Sequence, residues 1–267
     1  MSKPRAWSRP VPRDAWSDGQ ARPGAREVPE ETPVALVYDA STYAVMMATP
    51  ADLEDFAIGF SLTEGVVDAP DQIRGLEIVD QPLGVEIRMW LAPDRAARLA
   101  ERRRMMAGPT GCGLCGIDSL EQAVRRWPPV GGKETRLTAD DILAAMAALD
   151  AAQPLGAATR AAHAASFWRG GLIASREDVG RHNALDKLIG AMARTKEEAA
   201  NGAVLLTSRV SIEMVQKTAR LGAPILVAVS APTALAVRTA EEAGITLIAV
   251  AREDGFEVFT HSQRISA

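Results

Sequence analysis

The chain has two cysteines, Cys112 and Cys115, which lie three positions apart in the segment TGCGLCG. Small residues surround them, so the segment is a poor candidate for buried core, and its glycines allow backbone angles that other residues avoid. Ser119 and Gln122 have the spacing of a capping box, which predicts that a helix begins just after the loop. The positive end of that helix dipole favours a thiolate, so a reactive pair of thiols is indicated.

Three chemistries are open to such a pair: metal binding, a redox dithiol, and a thiol that carries a transferred group. A structural zinc site needs four ligands, and the three histidines, His163, His182 and His261, are widely scattered. None of them has the H-x-E pattern of a zinc deaminase, and we predict no bound metal. A helix start suits a redox dithiol, whereas a glycine-rich loop suits a carrier thiol, and both interpretations stay open at this point.

A second polar cluster is the segment REDVGRHNALDK, residues 176–187. In one interpretation it is an ordinary helix N-terminus, where Glu177 and Asp178 interact with the helix dipole and the cations are solvated. In the other, Arg181 and His182 bind a phosphate or a pterin at the start of the helix. Taken alone the segment favours the first interpretation, but its density of polar residues keeps the second one open.

A third group of polar residues follows the apolar segments AVLLT and PILVAVS. Ser208, Arg209 and Ser211 come after the first segment, Ser230 ends the second, and Thr233 follows it. The hydroxyl groups here either cap the following helices or, with Arg209 and two helix N-termini, surround an anionic ligand. Both interpretations can hold at once.

The elements that must position these residues are clearest from Ala203 onward. Apolar runs alternate there with amphipathic helices, which predicts βαβ units on a parallel sheet. The carboxyl ends of such strands meet at one edge, and ligands bind beyond it. The segments PVALVYDASTYAVMMATP and SFWRGGLIAS predict hairpins, and DLEDFAIGFSLTEG predicts a helix that ends at Gly65.

These patterns divide the chain into three parts. Residues 1–32 are rich in proline, arginine and glycine and are predicted to be a disordered tail. Residues 33–135 are predicted to be a smaller α+β region with the cysteine loop at its end. Residues 136–267 are predicted to be an α/β domain that binds the ligand.

Composition narrows the class of protein. The 267 residues are 47% hydrophobic, enough for a sizeable core, and the net charge of −4 gives no nucleic-acid signal. No stretch approaches the roughly 20 apolar residues of a membrane span, and the N-terminus has no apolar signal region. We expect a soluble cytoplasmic protein that binds neither nucleic acid nor membrane. In the cytoplasm, paired thiols are more often catalytic or metal-binding than structural.

Several motifs together resemble one family, the formate dehydrogenase accessory sulfurtransferases, or FdhD family. The matching segments are ERRRMMAGPTGCGLCG, REDVGRHNALDKLIG and LLTSRVSIEMVQKTARLGAPILVAVSAPTALAV, with DLEDFAIGFSLTEG before them. They occur in the family's order and extend from about residue 30 to the C-terminus. The resemblance implies an α/β fold: a cytidine-deaminase-like three-layer C-terminal domain with parallel βαβ units, plus a smaller α+β N-terminal domain.

The resemblance also implies an activity. A cysteine desulfurase would pass sulfur to Cys112 as a persulfide, with Cys115 assisting or sharing the sulfur. The sulfur would then pass to the molybdenum cofactor, Mo-bis(molybdopterin guanine dinucleotide), which is inserted into the catalytic subunit of formate dehydrogenase. The family is also expected to form a homodimer. Two other functions compete with this one: a cofactor-binding chaperone without thiol chemistry, and a redox dithiol protein.

The family's contact with the guanine dinucleotide falls on Val250, Ala251, Arg252, Glu253, Asp254 and Gly255. The sequence departs there from the family pattern and keeps mainly the cation of Arg252. Arg176 stands where the family commonly has a histidine. The resulting hypothesis is that the cofactor docks at the sheet edge while the loop 108–116 brings the persulfide to the metal. The residues expected to contact the docked cofactor are Arg181, His182, Ser208, Arg209, Ser230 and residues 250–255.

Overall fold

The computed structural model describes residues 5–106, 129–131 and 134–266, and it describes no side chain over residues 102–106. Cys112, Cys115 and the helix predicted after them lie outside the described residues. Within the described residues the chain forms fourteen strands and seven α-helices.

The strands are β1 Ser8–Ser17, β2 Gln20–Pro29, β3 Thr32–Tyr38, β4 Ser41–Ala48, β5 Ile73–Gln81, β6 Gly84–Leu91, β7 Leu137–Thr138, β8 His163–Trp168, β9 Leu172–Asp178, β10 Ala203–Leu206, β11 Ile225–Ala228, β12 Thr246–Arg252, β13 Gly255–Val258 and β14 Ile265–Ser266. The helices are α1 Leu53–Thr63, α2 Pro93–Met106, α3 Ala139–Ala151, α4 Pro154–Thr159, α5 Arg181–Thr195, α6 Ile212–Leu221 and α7 Ala234–Glu242.

A four-stranded sheet in the order β4-β3-β6-β5 forms the N-terminal part of the fold. β3 and β4 are the hairpin predicted around Asp39, where Asp39 and Ala40 adopt positive φ angles. β5 and β6 form a second antiparallel pair, and β3 pairs with β6 in parallel. The predicted helix that ends at Gly65 is confirmed as α1.

A six-stranded sheet in the order β13-β12-β11-β10-β8-β9 forms the C-terminal part. The predicted βαβ units are confirmed, because β10, β11 and β12 are parallel neighbours joined by α6 and α7. The predicted hairpin SFWRGGLIAS is confirmed as β8 and β9, and both edges of the sheet are antiparallel. The finer expectation of a cytidine-deaminase-like layering, and the boundary at residue 135, stay predictions.

Residues 8–29 differ from the disordered tail that was predicted over residues 1–32. β1 and β2 pair along their whole length as an antiparallel hairpin. Asp18 and Gly19 form its two-residue turn with φ angles of 52° and 74°, as a type I′ turn requires. Composition suggested disorder, but Asp-Gly between two ten-residue segments is a hairpin signal.

Apolar side chains cover both faces of the six-stranded sheet. On one face, a core shared with the four-stranded sheet joins Leu36 and Ile87 to Val204 and Leu226. On the other face, α3 contributes Ile142 to a second apolar cluster. The two sheets are therefore held together by one continuous core, and the edge of the six-stranded sheet has a fixed position relative to the N-terminal part.

Helices α1 and α5 approach one another through two glycines. A methyl group added at Gly59 would overlap the backbone carbonyl oxygen of Asp186, and one added at Gly190 would overlap that of Asp55. Neither glycine has a positive φ angle, so the requirement comes from the close approach of the two backbones. This crossing fixes the direction in which α5 leaves the sheet edge.

A buried ion pair fixes the turn that precedes α5. Asp178 and Lys187 are fully buried, and Lys187 Nζ lies 2.7 Å from Asp178 Oδ2. Asp178 also accepts hydrogen bonds from the backbone N–H groups of Thr49 (3.0 Å) and Gly180 (2.8 Å), and from Asn183 Nδ2 (3.0 Å). Lys187 in turn donates to the carbonyl oxygen of Thr49 at 2.9 Å. The network ties the start of α5 to the segment after β4.

We predict that Gly59→Ala lowers the free energy of unfolding by about 1–3 kcal/mol or more, because the helices must separate to admit the methyl group. Gly171→Ala is the matched control, since an added Cβ there meets no atom within 4 Å and its φ is not positive. Urea unfolding followed by circular dichroism measures both. Equal stability of the two variants would contradict the proposed close packing.

We predict that Lys187→Met lowers the free energy of unfolding by about 3–5 kcal/mol, because Asp178 would keep a buried charge without its cation. Lys196→Met replaces an exposed lysine and should change stability by no more than about 0.5 kcal/mol. The same urea titration compares them. A Lys187→Met protein as stable as the Lys196→Met protein would show that Lys187 does not compensate the charge of Asp178.

Candidate functional site

The carboxyl ends of β10, β11 and β12 form the edge at which the sequence predicts a ligand. The N–H of Val229 donates to the carbonyl oxygen of Leu206 at 3.0 Å, and the N–H of Val250 donates to that of Ser230 at 3.5 Å. The parallel register therefore continues past the ends of the strands. It brings Ser230 and Val250 together beside the segment that follows β10.

Val250 has an unusual backbone conformation at this edge. Its φ angle is 52°, in the left-handed region that a β-branched residue rarely adopts. The pairing of β12 with β13 shifts between Ala249 and Arg252, so Val250 lies in a bulge. Such conformations cost about 1–3 kcal/mol and concentrate at ligand sites. The bulge changes the direction of the segment for which the family resemblance implies a contact with the dinucleotide.

The rest of that segment comprises the end of β12, the turn after it and the first residue of β13. Arg252, Glu253 and Asp254 are exposed, while the side chain of Ala251 is buried in the second apolar cluster. Gly255 has a φ angle of 149°, which favours glycine. Of the six predicted residues, Ala251 can therefore present only its backbone to a ligand.

The hydroxyl groups near this edge have different partners. Ser208 is buried, and its Oγ donates to the carbonyl oxygen of Arg209 at 3.0 Å. Thr233 caps α7, because its Oγ1 accepts the N–H of Ala236 at 3.2 Å. Ser230 is half-buried, and Arg209 is exposed. The capping interpretation thus holds for Thr233, while Arg209 supplies an exposed cation.

His182, in the first turn of α5, interacts with a residue that the sequence analysis did not single out. Its Nε2 lies 2.8 Å from Oε2 of Glu213 in α6, and Ser211 Oγ donates to the same oxygen at 3.2 Å. The hydrogen bond with His182 is the main cause that lowers the pKa of Glu213 to about 2, although partial burial opposes it. Glu213 is therefore ionised at neutral pH and holds the imidazole ring in one orientation.

His163 is a second residue that joins this region unexpectedly. It begins β8, which runs antiparallel to β10, so its end of the strand lies at the carboxyl edge. Burial lowers the pKa of His163, and the positive charge of Arg181 adds to the effect while Asp178 opposes it. The strand register brings His163 near His182, although the two are distant in sequence.

Arg176, at the family's usual histidine position, has a structural role. Its Nε donates to Asp55 Oδ2 at 2.8 Å, and Arg194 Nη1 contacts the other oxygen of Asp55 at 2.6 Å. Asp55 is almost fully buried in α1. Both guanidinium groups therefore pair with a carboxylate next to the α1–α5 crossing, and Arg176 is not an acid or base of the sheet edge.

The described residues thus combine exposed cations, an oriented imidazole and helix N-termini along one edge, which suits an anionic ligand. Among the described side chains no group of three His, Cys, Asp or Glu residues could hold a metal ion. Over the same ranges, none of the helices is long and apolar enough to cross a membrane. Cys112 and Cys115, the predicted reactive thiols, lie outside the described residues, so their position relative to this edge is not described.

Similar proteins match nearly the whole chain. The sulfur carrier protein FdhD of Agrobacterium fabrum is 54% identical over 96% of both chains. The proteins of the same name from Brucella abortus and Cupriavidus necator are 58% and 51% identical, over 90% and 94% of this chain and 90% and 87% of theirs.

A solved structure shares the fold. It is a protein of Desulfotalea psychrophila described as a formate dehydrogenase accessory protein, with a TM-score of 0.78 and 27% identity. The match covers 98% of this chain and 100% of that one. The FdhD/NarQ family model matches residues 29–266. With this match and these relatives, the chain belongs to the FdhD/NarQ family.

Proposed function

We propose that this protein is a sulfur carrier that supplies sulfur to the molybdenum cofactor of formate dehydrogenase. The observation that carries the proposal is the identity of 51–58% with proteins named sulfur carrier over most of their length. The related structure, described as a formate dehydrogenase accessory protein, supports formate dehydrogenase as the enzyme that is served. A cysteine desulfurase is the proposed donor, and Mo-bis(molybdopterin guanine dinucleotide) is the proposed acceptor.

The proposed loading step is a thiol exchange at Cys112. Its thiolate attacks the terminal sulfur of the persulfide on the desulfurase, so a new S–S bond forms at Cys112 and the donor's S–S bond breaks. The donor cysteine leaves as a thiolate, and the persulfide proton stays with the transferred sulfur, so no external oxidant is needed. The attacking thiol works best with a pKa near the ambient pH. Cys115 shares or stabilises the transferred sulfur.

The proposed acceptor site is the carboxyl edge of the six-stranded sheet. Arg209 and Arg252 are exposed there, and His182 is oriented by Glu213. A guanine dinucleotide carries phosphates, which charge-assisted hydrogen bonds from arginine recognise with two parallel contacts. The bulge at Val250 sets the direction in which the segment with Arg252 leaves the sheet. The edge thereby offers fixed contacts for a bulky anionic molecule to which sulfur is delivered.

We predict that Cys112→Ala abolishes sulfur loading, whereas Cys115→Ala retains part of it. Each protein is incubated with a cysteine desulfurase and labelled cysteine, its thiols are alkylated, and its peptides are analysed by mass spectrometry. The wild type should gain one labelled sulfur on Cys112. A cofactor-binding chaperone would keep full function in the Cys112→Ala protein, and a redox dithiol would form a Cys112–Cys115 disulfide without gaining sulfur. Either result would refute the carrier function.

We predict that the Arg209→Gln/Arg252→Gln double variant binds guanosine diphosphate at least about tenfold more weakly, because each lost charge-assisted hydrogen bond removes about 1.5–3 kcal/mol. Isothermal titration calorimetry measures the dissociation constant. The matched control, Arg74→Gln/Arg98→Gln, removes the same charge from exposed positions on β5 and α2. Unchanged affinity in the first double variant would place the nucleotide elsewhere.

A further inference from the structure

The hairpin of β1 and β2 forms a two-stranded sheet of its own. Most of its residues are exposed, among them Trp16, whose exposed fraction is 74%. The family model begins at residue 29, the last residue of β2, so the rest of the hairpin precedes the part of the chain that the model matches. An isolated two-stranded hairpin is at best marginally stable in water, so a surface that docks onto it would also stabilise it.

The strand register sorts the charges of the hairpin onto two faces. Residues directly opposite one another share a face, and successive residues alternate between faces. One face holds all four arginines of the hairpin and no acidic residue, through the pairs Arg9↔Val28, Val11↔Arg26, Arg13↔Gly24 and Ala15↔Arg22. Both acidic residues of the two strands, Asp14 and Glu27, lie on the other face. We call the first of these the arginine face.

The base of the arginine face is anchored to the body of the protein. Arg9 Nε lies 3.0 Å from Glu30 Oε2, and Arg26 Nη2 donates to the carbonyl oxygen of Thr159 at 3.2 Å. The outer part is free, because Arg13 and Arg22 are exposed and pair with no carboxylate among the described residues. They occupy diagonal positions, about 7–8 Å apart in such a ladder. Two arginines without a carboxylate partner thus occupy neighbouring positions on the arginine face.

Prolines restrict how a partner can approach. Pro10, Pro12, Pro23 and Pro29 all belong to the pairs of the opposite face. Proline has no N–H, so these are the pairs whose N–H groups point out of the ribbon rather than across it. Because the four prolines lack these N–H groups, both outer edges of the hairpin have fewer hydrogen-bond donors. This opposes the addition of a further strand. A partner is therefore expected to contact side chains rather than to extend the sheet.

We propose that the arginine face is a docking surface for a protein surface rich in Asp and Glu side chains. Planar guanidinium groups bind carboxylates with two parallel hydrogen bonds. A nucleic acid fits less well, because the whole chain has a net charge of −4 and Asp18 lies in the turn at the tip. A long polyanion would be repelled by the negative charges of Asp18 and of the rest of the chain, whereas a local patch of carboxylates contacts only the arginine face. The proposal stands independently of the sulfur-carrier function.

The test uses the full-length protein and a short, fluorescein-labelled oligo-glutamate peptide, with binding followed by fluorescence anisotropy at several salt concentrations. The wild type should bind in a salt-dependent manner. The Arg13→Gln/Arg22→Gln variant should bind at least about tenfold more weakly, and Arg13→Lys/Arg22→Lys should lose less affinity than this, because it keeps the charge but not the paired hydrogen bonds of the guanidinium group. Arg98→Gln/Arg238→Gln, which removes two exposed arginines elsewhere, should bind like the wild type.

Four results would overturn the proposal. The first is an absence of salt-dependent binding by the wild type, and the second is wild-type affinity in the Arg13→Gln/Arg22→Gln variant. The third is an equal loss with glutamine and lysine, since charge would then not be what the surface recognises. The fourth is displacement of the peptide by duplex DNA at equal charge concentration, which would assign the face to nucleic acid. Unchanged thermal unfolding of each variant shows that the fold is intact.

Discussion

The buried carboxylate of Asp178 is the constraint on which the arrangement of the sheet edge depends. It pairs with Lys187 and accepts hydrogen bonds from Asn183 and from two backbone N–H groups. One of these N–H groups belongs to Thr49, at the end of the four-stranded sheet, so the network joins both sheets. A buried charge is tolerated only when it is fully paired. The turn before α5 consequently has one conformation, and the first turn of α5, with Arg181 and His182, has one position.

The second determinant is the α1–α5 crossing, which acts on the same helix from its other side. Gly59 and Gly190 permit backbone contact, and Asp55 pairs with Arg176 and Arg194 beside it. Close packing makes protein interiors resist small displacements. His182 therefore meets Glu213 of α6 from a helix held at its start and along its length. The position of His182 at the edge is therefore set by contacts within the protein.

Periodicity predicted the regular part of this fold, and pairing between distant segments explains what it missed. The βαβ units from Ala203 onward follow from apolar runs and amphipathic helices, which are local signals. The role of His163 could not be found in this way, because only the antiparallel register of β8 with β10 places it at the edge. The hairpin of residues 8–29 was missed for another reason, since proline content suggested disorder. All its prolines occupy positions where an N–H would point outward, so they do not disturb the ladder.

The segment REDVGRHNALDK shows why a dense polar motif is ambiguous in a sequence and clear in a structure. Asp178 and Lys187 neutralise each other inside the protein, and Glu177 accepts the N–H groups of Leu155 and Gly156 at the start of α4. Asp186 is likewise buried, with Lys217 Nζ at 2.7 Å. These polar side chains form ion pairs and hydrogen bonds with other buried polar groups, as nearly all buried polar groups do in folded proteins. Arg181 and His182 are left partly exposed at the edge. The structure therefore contradicts the first interpretation at Lys187, whose cation is buried rather than solvated, while the binding of a ligand by Arg181 and His182 stays a prediction.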